Sequence, residues 1–202
     1  IPTTQYFTDE AVSEDDIETI LLSGVNAPSA MNQQPWHFSV ITSSSVLQQI
    51  ADDMSNAIPT GAVPAGAPES GADAGNAPSA DDNAFATRNT SAVKAGIADA
   101  PLAIVISCST GAELNAGLAC QNMSVTARLL GYGSKIISSP TIALNGEKQE
   151  DYRTALGIPE YYTAVAVLLI GHEDTAIDQT ADTYSGATER NPMGDIVTYV
   201  KE

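Results

Sequence analysis

The chain of 202 residues is long enough to bury the core of one domain, and 43% hydrophobic residues argue against global disorder. Acidic residues outnumber basic ones by 25 to 8, and a net charge of −17 argues against both nucleic acid and an anionic membrane surface as partners. The longest apolar run, at residues 163–171, is too short to cross a bilayer.

Cysteine and histidine usage predicts neither a disulfide framework nor a zinc site. The chain has two cysteines and two histidines, and no histidine lies near a matching cysteine or second histidine. We interpret Cys108 and Cys120 as buried thiols, because one ends an apolar run and the other lies within a predicted helix. We expect a cytoplasmic protein, and the first residue, Ile1, also fits the mature part of an exported one.

The first third of the chain predicts helix, loop, strand and helix in that order. Ser13 followed by Asp16 is typical of a helix start, and Gly24 stops the apolar periodicity that follows. The loop NAPSAMNQQPW comes next, and residues 36–42 then alternate as a strand does. An amphipathic pattern predicts a second helix over 45–54.

The rest of the chain continues this alternation after a stretch of different composition. Residues 57–84 are rich in Ala, Gly, Pro, Asp and Ser, which indicates a surface loop or, alternatively, a linker between two domains. Buried strands are predicted at 101–109 and 161–171. Helices are predicted at 115–130, buried on several sides, and at 148–156. The pattern indicates an α/β or α+β fold with a helix-covered sheet.

The loop before the only tryptophan is the best candidate binding element. Asn32, Gln33 and Gln34 each donate and accept hydrogen bonds, and Ser29 adds a hydroxyl. Flanking prolines restrict the shape of the loop, which would lower the entropy lost on binding. These residues suit a planar, hydrogen-bonding ligand. The alternative is an ordinary helix–strand connection rich in turn-forming residues.

Several segments in register resemble the nitroreductase (NADH oxidase-like) flavoprotein family. They are the loop APSAMNQQPW, the opening TTQYFTDEAVSEDDIETILLSGVNAPSA, and the segments IADAPLAIVIS, GLACQNMSVTARLLGYGSKII and ALGIPEYYTAVAVLLIGH. Together they cover most of the chain apart from the Ala/Gly/Pro-rich stretch. The resemblance implies an α+β fold with a central, mostly antiparallel sheet covered by helices, in an intertwined homodimer.

The resemblance also implies one domain over 1–202, with a loop at about 57–84 and a C-terminal extension at about 180–202. It implies FMN at the dimer interface, NAD(P)H as co-substrate, and hydride transfer through the flavin to a small nitro or quinone-like electron acceptor. No catalytic side chain is expected, because the flavin would carry the chemistry and the protein would position it.

Positions that match the family would contact the two faces of the flavin ring. One group would line the ring from the partner subunit, and it comprises Pro28, Ser29, Ala30 and Asn32. A second group would place backbone groups near N5 of the ring, and it comprises Ile137, Ser138 and Ser139. Lys94 is a looser match to a basic residue at the pyrimidine edge.

The phosphate end of the implied cofactor departs from the family pattern. Thr3 and Gln5 fall where the N-terminal segment meets the ribityl phosphate, and Arg190 matches a basic residue that holds it. The family usually places basic residues around a serine here, but this chain has Ile1, Thr3 and Gln5. Losing two charge-assisted hydrogen bonds of about 1.5–3 kcal/mol each would weaken FMN binding by two or more orders of magnitude.

This departure keeps two alternatives open. The chain is either an FMN-dependent oxidoreductase or a non-enzymatic, flavin-poor relative that acts as a binding protein. A third hypothesis is an enzyme of the same fold that takes another flavin or a flavin fragment.

Overall fold

The computed structural model describes residues 3–57, 96–179 and 192–200, and these contain one antiparallel sheet with helices on both faces. Its strands are β1 (Trp36–Ile41), β2 (Leu102–Ser109), β3 (Gly133–Ile137) and β4 (Tyr162–Gly171). Its helices, numbered within these residues, are α1 (Glu14–Val25), α2 (Ser44–Ala57), α3 (Glu113–Leu129), α4 (Thr141–Leu144), α5 (Gln149–Leu156) and α6 (Met193–Ile196). Short 3₁₀ turns cover Ala30–Asn32 and Gly96–Ala98.

The sheet has the strand order β1-β2-β4-β3, and each neighbouring pair is antiparallel. Strand β2 is fully buried from Leu102 to Cys108, as its continuous apolar sequence predicts. Alternate β2 residues pack into two different hydrophobic clusters, one on each face: Val105 belongs to one and Ile104 to the other. The sheet therefore divides the core into two layers.

Helices α1 and α3 cover one face of the sheet. Helix α1 begins where Ser13 predicts, because the Ser13 hydroxyl accepts a hydrogen bond from the Asp16 N–H at 3.2 Å. Helix α3 packs through small residues such as Ala116 and Ala119, which lets it lie close to the sheet and to α1. The expectation that α3 is buried on several sides is wrong for the chain alone, because Leu129 is 82% exposed.

Helices α2, α4 and α5 cover the opposite face. Asp53 of α2 accepts hydrogen bonds from Lys148 Nζ at 2.7 Å and from Tyr152 Oη at 2.6 Å, which joins α2 to α5. Asn145 follows α4 and pairs with Ala164 of β4, donating to its carbonyl at 2.8 Å and accepting from its N–H at 3.0 Å. Polar side chains thus join α2 to α5 and the residue after α4 to β4.

Most predicted elements are confirmed, with boundaries shifted by a few residues at most. Gly157 ends α5 in the left-handed region, at φ 66°, which favours glycine. Strand β3, at Gly133–Ile137, is one that the sequence patterns did not predict. Tyr161, the first residue of the buried strand predicted at 161–171, is 80% exposed and precedes β4. Residues 58–84 of the predicted loop lie outside the described residues.

The cysteine interpretation is confirmed, since Cys108 and Cys120 are both buried free thiols. Burial raises the pKa of the Cys120 thiol to about 12. Among residues 3–57, 96–179 and 192–200, no cluster of His, Cys, Asp and Glu could hold a metal ion. No helix in these three ranges combines the length and apolar character needed to span a bilayer.

Candidate functional site

The loop between α1 and β1, residues 26–35, is called the amide loop here, and it has an unusual backbone. Met31, Asn32 and Gln34 all adopt positive φ angles, at 52°, 56° and 48°. Asparagine tolerates this left-handed region, but methionine and glutamine rarely adopt it. The Ser29 hydroxyl accepts a hydrogen bond from the Gln34 N–H at 3.0 Å, which closes the loop. Such strain occurs often at ligand sites, so the backbone supports the candidate binding role.

The loop also rests on α3 and presents its polar groups outward. The Ala30 N–H donates to Asn115 Oδ1 at 3.2 Å, which ties the loop to the first turn of α3. Pro28, Ala30 and Asn32 are exposed, and Ser29 is half-buried. The four predicted loop residues therefore lie together on one accessible surface.

The second predicted segment follows β3. Ile137 ends the strand, and the Ser138 carbonyl accepts from both the N–H and the hydroxyl of Thr141, at 3.0 and 2.7 Å. Gly96, with φ 43°, packs against this segment, since a Cβ there would lie 3.3 Å from Ile137 Cδ1 and 3.8 Å from Ser139 Oγ. Thr141 thus fixes the Ser138 carbonyl in a turn, and Gly96 lies beside the side chains of Ile137 and Ser139.

The third predicted segment is the N-terminal one, which lies beside β3. The Thr4 N–H donates to the Ser134 carbonyl at 3.0 Å, so Thr3 and Gln5 flank the start of β3. Gln179 fixes the next residues, accepting from the N–H groups of Gln5 and Tyr6 at 2.9 and 3.0 Å. Ser134 precedes Ile137 by three residues, which corresponds to about 10 Å along a strand.

The structure places the three segments in two groups. The N-terminal segment and 137–139 lie along β3, but the amide loop enters β1, and two strands separate β1 from β3. At the usual strand spacing, that separation is about 14 Å. Trp36 is level with Cys108 and Thr163, and Ile137 is level with Val167, four residues further along β4. Ser134, whose carbonyl holds the N-terminal segment, is level with Ile170, toward the opposite end of the sheet from the amide loop. One chain does not bring the two groups into contact.

The basic residues Lys and Arg in the described part of the chain are already paired with carboxylates. Arg128, Lys135, Lys148 and Arg153 each form an ion pair with a carboxylate, at 2.6 to 3.4 Å. In the part of the chain that the structure describes, no Lys or Arg remains free to hold a phosphate. Lys94 and Arg190 lie outside that part.

The comparison with protein families decides the identity. The model of the nitroreductase family matches residues 3–172, which include the N-terminal segment, the amide loop and 137–139. The chain belongs to the nitroreductase family. The family recognised from sequence motifs is confirmed, as is the expectation of an oxidoreductase enzyme at the level of the family.

Relatives and solved structures agree with this nitroreductase assignment. A protein of Archaeoglobus fulgidus named "Putative NADH dehydrogenase/NAD(P)H nitroreductase" is 28% identical over 172 residues, covering 82% of this chain and 77% of the relative. A nitroreductase with bound FMN from Desulfitobacterium hafniense has a TM-score of 0.70 at 22% identity, and the match covers 98% of this chain and 93% of that one. A nitroreductase with bound FMN from Bacteroides fragilis has a TM-score of 0.71 at 20% identity, and the match covers 99% of this chain and 94% of that one. The predicted α+β fold is confirmed.

The donor set of this nitroreductase chain suits an uncharged ring better than a phosphate. The amide loop and the 137–139 segment offer side-chain amides, hydroxyls and backbone groups, which fit the polar edge of the flavin that the family implies. Near the start of β3, Thr3 and Gln5 offer neutral donors only. The described residues thus fit the ring, and they leave the phosphate without a cation.

Several residues that build this region carried no recognisable sequence signal. Glu173, Gln179 and Asn115 look like ordinary surface polar residues, and Gly96 follows a low-complexity stretch. Their partners lie far away in the sequence: Thr4 contacts Glu173 across 169 positions, and Ala30 contacts Asn115 across 85. Only a tertiary structure identifies such pairs.

Proposed function

We propose that this chain is an FMN-dependent oxidoreductase that passes hydride from NAD(P)H to nitro or quinone-like acceptors. When bound, FMN supplies the group that accepts hydride and passes it on. The chain's own residues bind and orient it. The amide loop would hold one side of the ring, the backbone of 137–139 the other, and Thr3, Gln5 and Arg190 the phosphate end.

The observation that carries this proposal is the backbone of the amide loop. Left-handed conformations at Met31 and Gln34 cost free energy, and an ordinary connection between helix and strand would not require them. They turn the loop so that Asn32 remains exposed while Ser29 closes its base. A rigid loop with outward-facing amides loses little entropy when it binds a planar ligand.

We further propose that the working form is a homodimer. The amide loop and 137–139 lie on opposite outer strands, so a second copy is needed to bring one chain's loop to the other chain's β3. The outer face of α3 supports this, since Leu114, Leu118 and Leu129 are 77%, 40% and 82% exposed and share one side of the helix.

The purified protein is expected to retain about one FMN per chain after incubation with excess FMN and desalting, as measured by its visible spectrum. The loaded protein should then oxidise NADH or NADPH in the presence of a nitroarene or a quinone. A protein without retained flavin and without turnover would contradict the proposal. That result would favour the flavin-poor binding protein, for which the neutral residues Thr3 and Gln5 are the motivating observation.

Replacing Asn32 by glycine is expected to raise the Kd for FMN about five- to tenfold, the effect of losing one neutral hydrogen bond. Glycine keeps the left-handed backbone at φ 56° without strain, so only the amide is removed. Gln49→Ala is the control, because Gln49 is an exposed amide residue of α2, outside the amide loop, and its loss is expected to leave the Kd for FMN unchanged. Equal Kd values for Asn32→Gly and the wild type would remove Asn32 from the site.

A further inference from the structure

Glu173, just after β4, joins the N-terminal segment to the last turn of α3. Its Oε1 accepts a hydrogen bond from the Thr4 hydroxyl at 2.7 Å and one from Arg128 Nη1, also at 2.7 Å. Thr4 is 1% exposed, and the side chains of Arg128 and Glu173 are 25% and 34% exposed. The Thr4 hydroxyl and Arg128 hold the pKa of the Glu173 carboxyl below its usual range.

The backbone around this cluster leaves little freedom for the N-terminal segment. Thr4 and Glu173 lie directly over Gly133, where a Cβ would be 2.5 Å from Thr4 Oγ1 and 2.8 Å from Glu173 Cγ. Phe7 pairs with Glu173 in an antiparallel bridge, and the Thr8 N–H donates to the His172 carbonyl at 2.9 Å.

A second side chain, that of Gln179, binds the backbone of the same N-terminal segment. Gln179 accepts from the N–H groups of Gln5 and Tyr6, and its own amide donates to the carbonyls of Tyr6 and Asp174 at 3.0 and 2.9 Å. Thr3 and Gln5 therefore sit on a segment fixed at Thr4 by Glu173 and at Gln5 and Tyr6 by Gln179.

We propose that Glu173, itself held by Arg128, is a positioning residue that sets the phosphate end of the flavin site through Thr4. This inference rests on the proposed function. Its reason is the uncharged character of Thr3 and Gln5: neutral donors bind an anion only with well-placed geometry, because they lack the long-range attraction of a cation. Fixing the segment before binding also reduces the entropy lost on binding.

The test compares FMN with riboflavin, which has the same ring and no phosphate. Glu173→Gln is expected to raise the Kd for FMN about tenfold and to leave the Kd for riboflavin within about twofold of wild type. Both constants are measured by fluorescence titration of the full chain, together with the melting temperature of the flavin-free protein. If Glu173 had only a structural role, the variant would bind FMN and riboflavin more weakly by the same factor.

Asp53→Asn is the matched control, because Asp53 also accepts from one cation and one hydroxyl, at 2.7 and 2.6 Å, on the opposite face of the sheet. It is expected to lower the melting temperature without changing the ratio of the FMN and riboflavin constants. An unchanged ratio in Glu173→Gln would overturn the proposal, as would tighter FMN binding, which would show that Glu173 acts by repelling the phosphate. Wild-type protein that binds neither flavin would instead contradict the proposed function itself.

Discussion

Ile170→Ala is expected to lower the free energy of unfolding by about 2–5 kcal/mol, the range for removing a large aliphatic side chain from a core. Ile170 is fully buried on β4, and its neighbours across the sheet are Leu102 of β2 and Ser134 of β3. The Thr4 N–H bonds to the Ser134 carbonyl, so a cavity here would loosen β3 where it holds the N-terminal segment. Urea unfolding followed by circular dichroism measures the change.

Ile136→Ala is the control for this experiment, since it removes the same atoms from the outer strand β3. Ile136 is 45% exposed, so its loss leaves a smaller cavity and is expected to cost less than about 1.5 kcal/mol. Equal losses for the two variants would mean that Ile170 lies outside the cooperative core.

Leu129→Lys is expected to convert the proposed homodimer to monomers, raising the dimer dissociation constant roughly a hundredfold or more. Leu129 is 82% exposed in the chain alone, so the fold should tolerate lysine, and a cation suits the last turn of a helix. In a dimer that covers this face, the same cation would be buried without a partner. Analytical ultracentrifugation at micromolar concentration measures the effect, and retained FMN should fall with the dimer.

Gln49→Lys is the control, because it changes the net charge equally at an exposed position of α2, on the opposite face of the sheet. It should leave both the association state and flavin retention unchanged. A Leu129→Lys protein that remains dimeric would show that α3 does not form the interface.

The local elements could be predicted from the sequence because their signals act over a few residues. The Ser13 cap, the apolar run at 102–108 and the glycine after α5 each reflect a short-range preference that the surroundings reinforce. The burial of helix α3 could not be predicted in the same way. Its apolar residues predict burial on several sides, but burial depends on what covers a surface, and one chain covers only the small-residue side of this helix.

The candidate site also has features that the sequence predicts and features that only the tertiary structure reveals. The composition of the amide loop indicated hydrogen bonding to a planar ligand, but its left-handed backbone and its contact with Asn115 appear only in three dimensions. The grouping of Thr4 with Arg128 and Glu173 joins residues 4, 128 and 173 through side chains, and no short-range pattern marks it.

The sequence by itself determined the family, the order of helices and strands, and the residue types available to a flavin, because motifs and periodicities are local and add up along the chain. Only the tertiary structure decided which of those residues lie together. Strand order places β1 and β3 at opposite edges of the sheet, and the N-terminal segment lies beside β3. Pairing between strands that are distant in the sequence follows from packing the whole core.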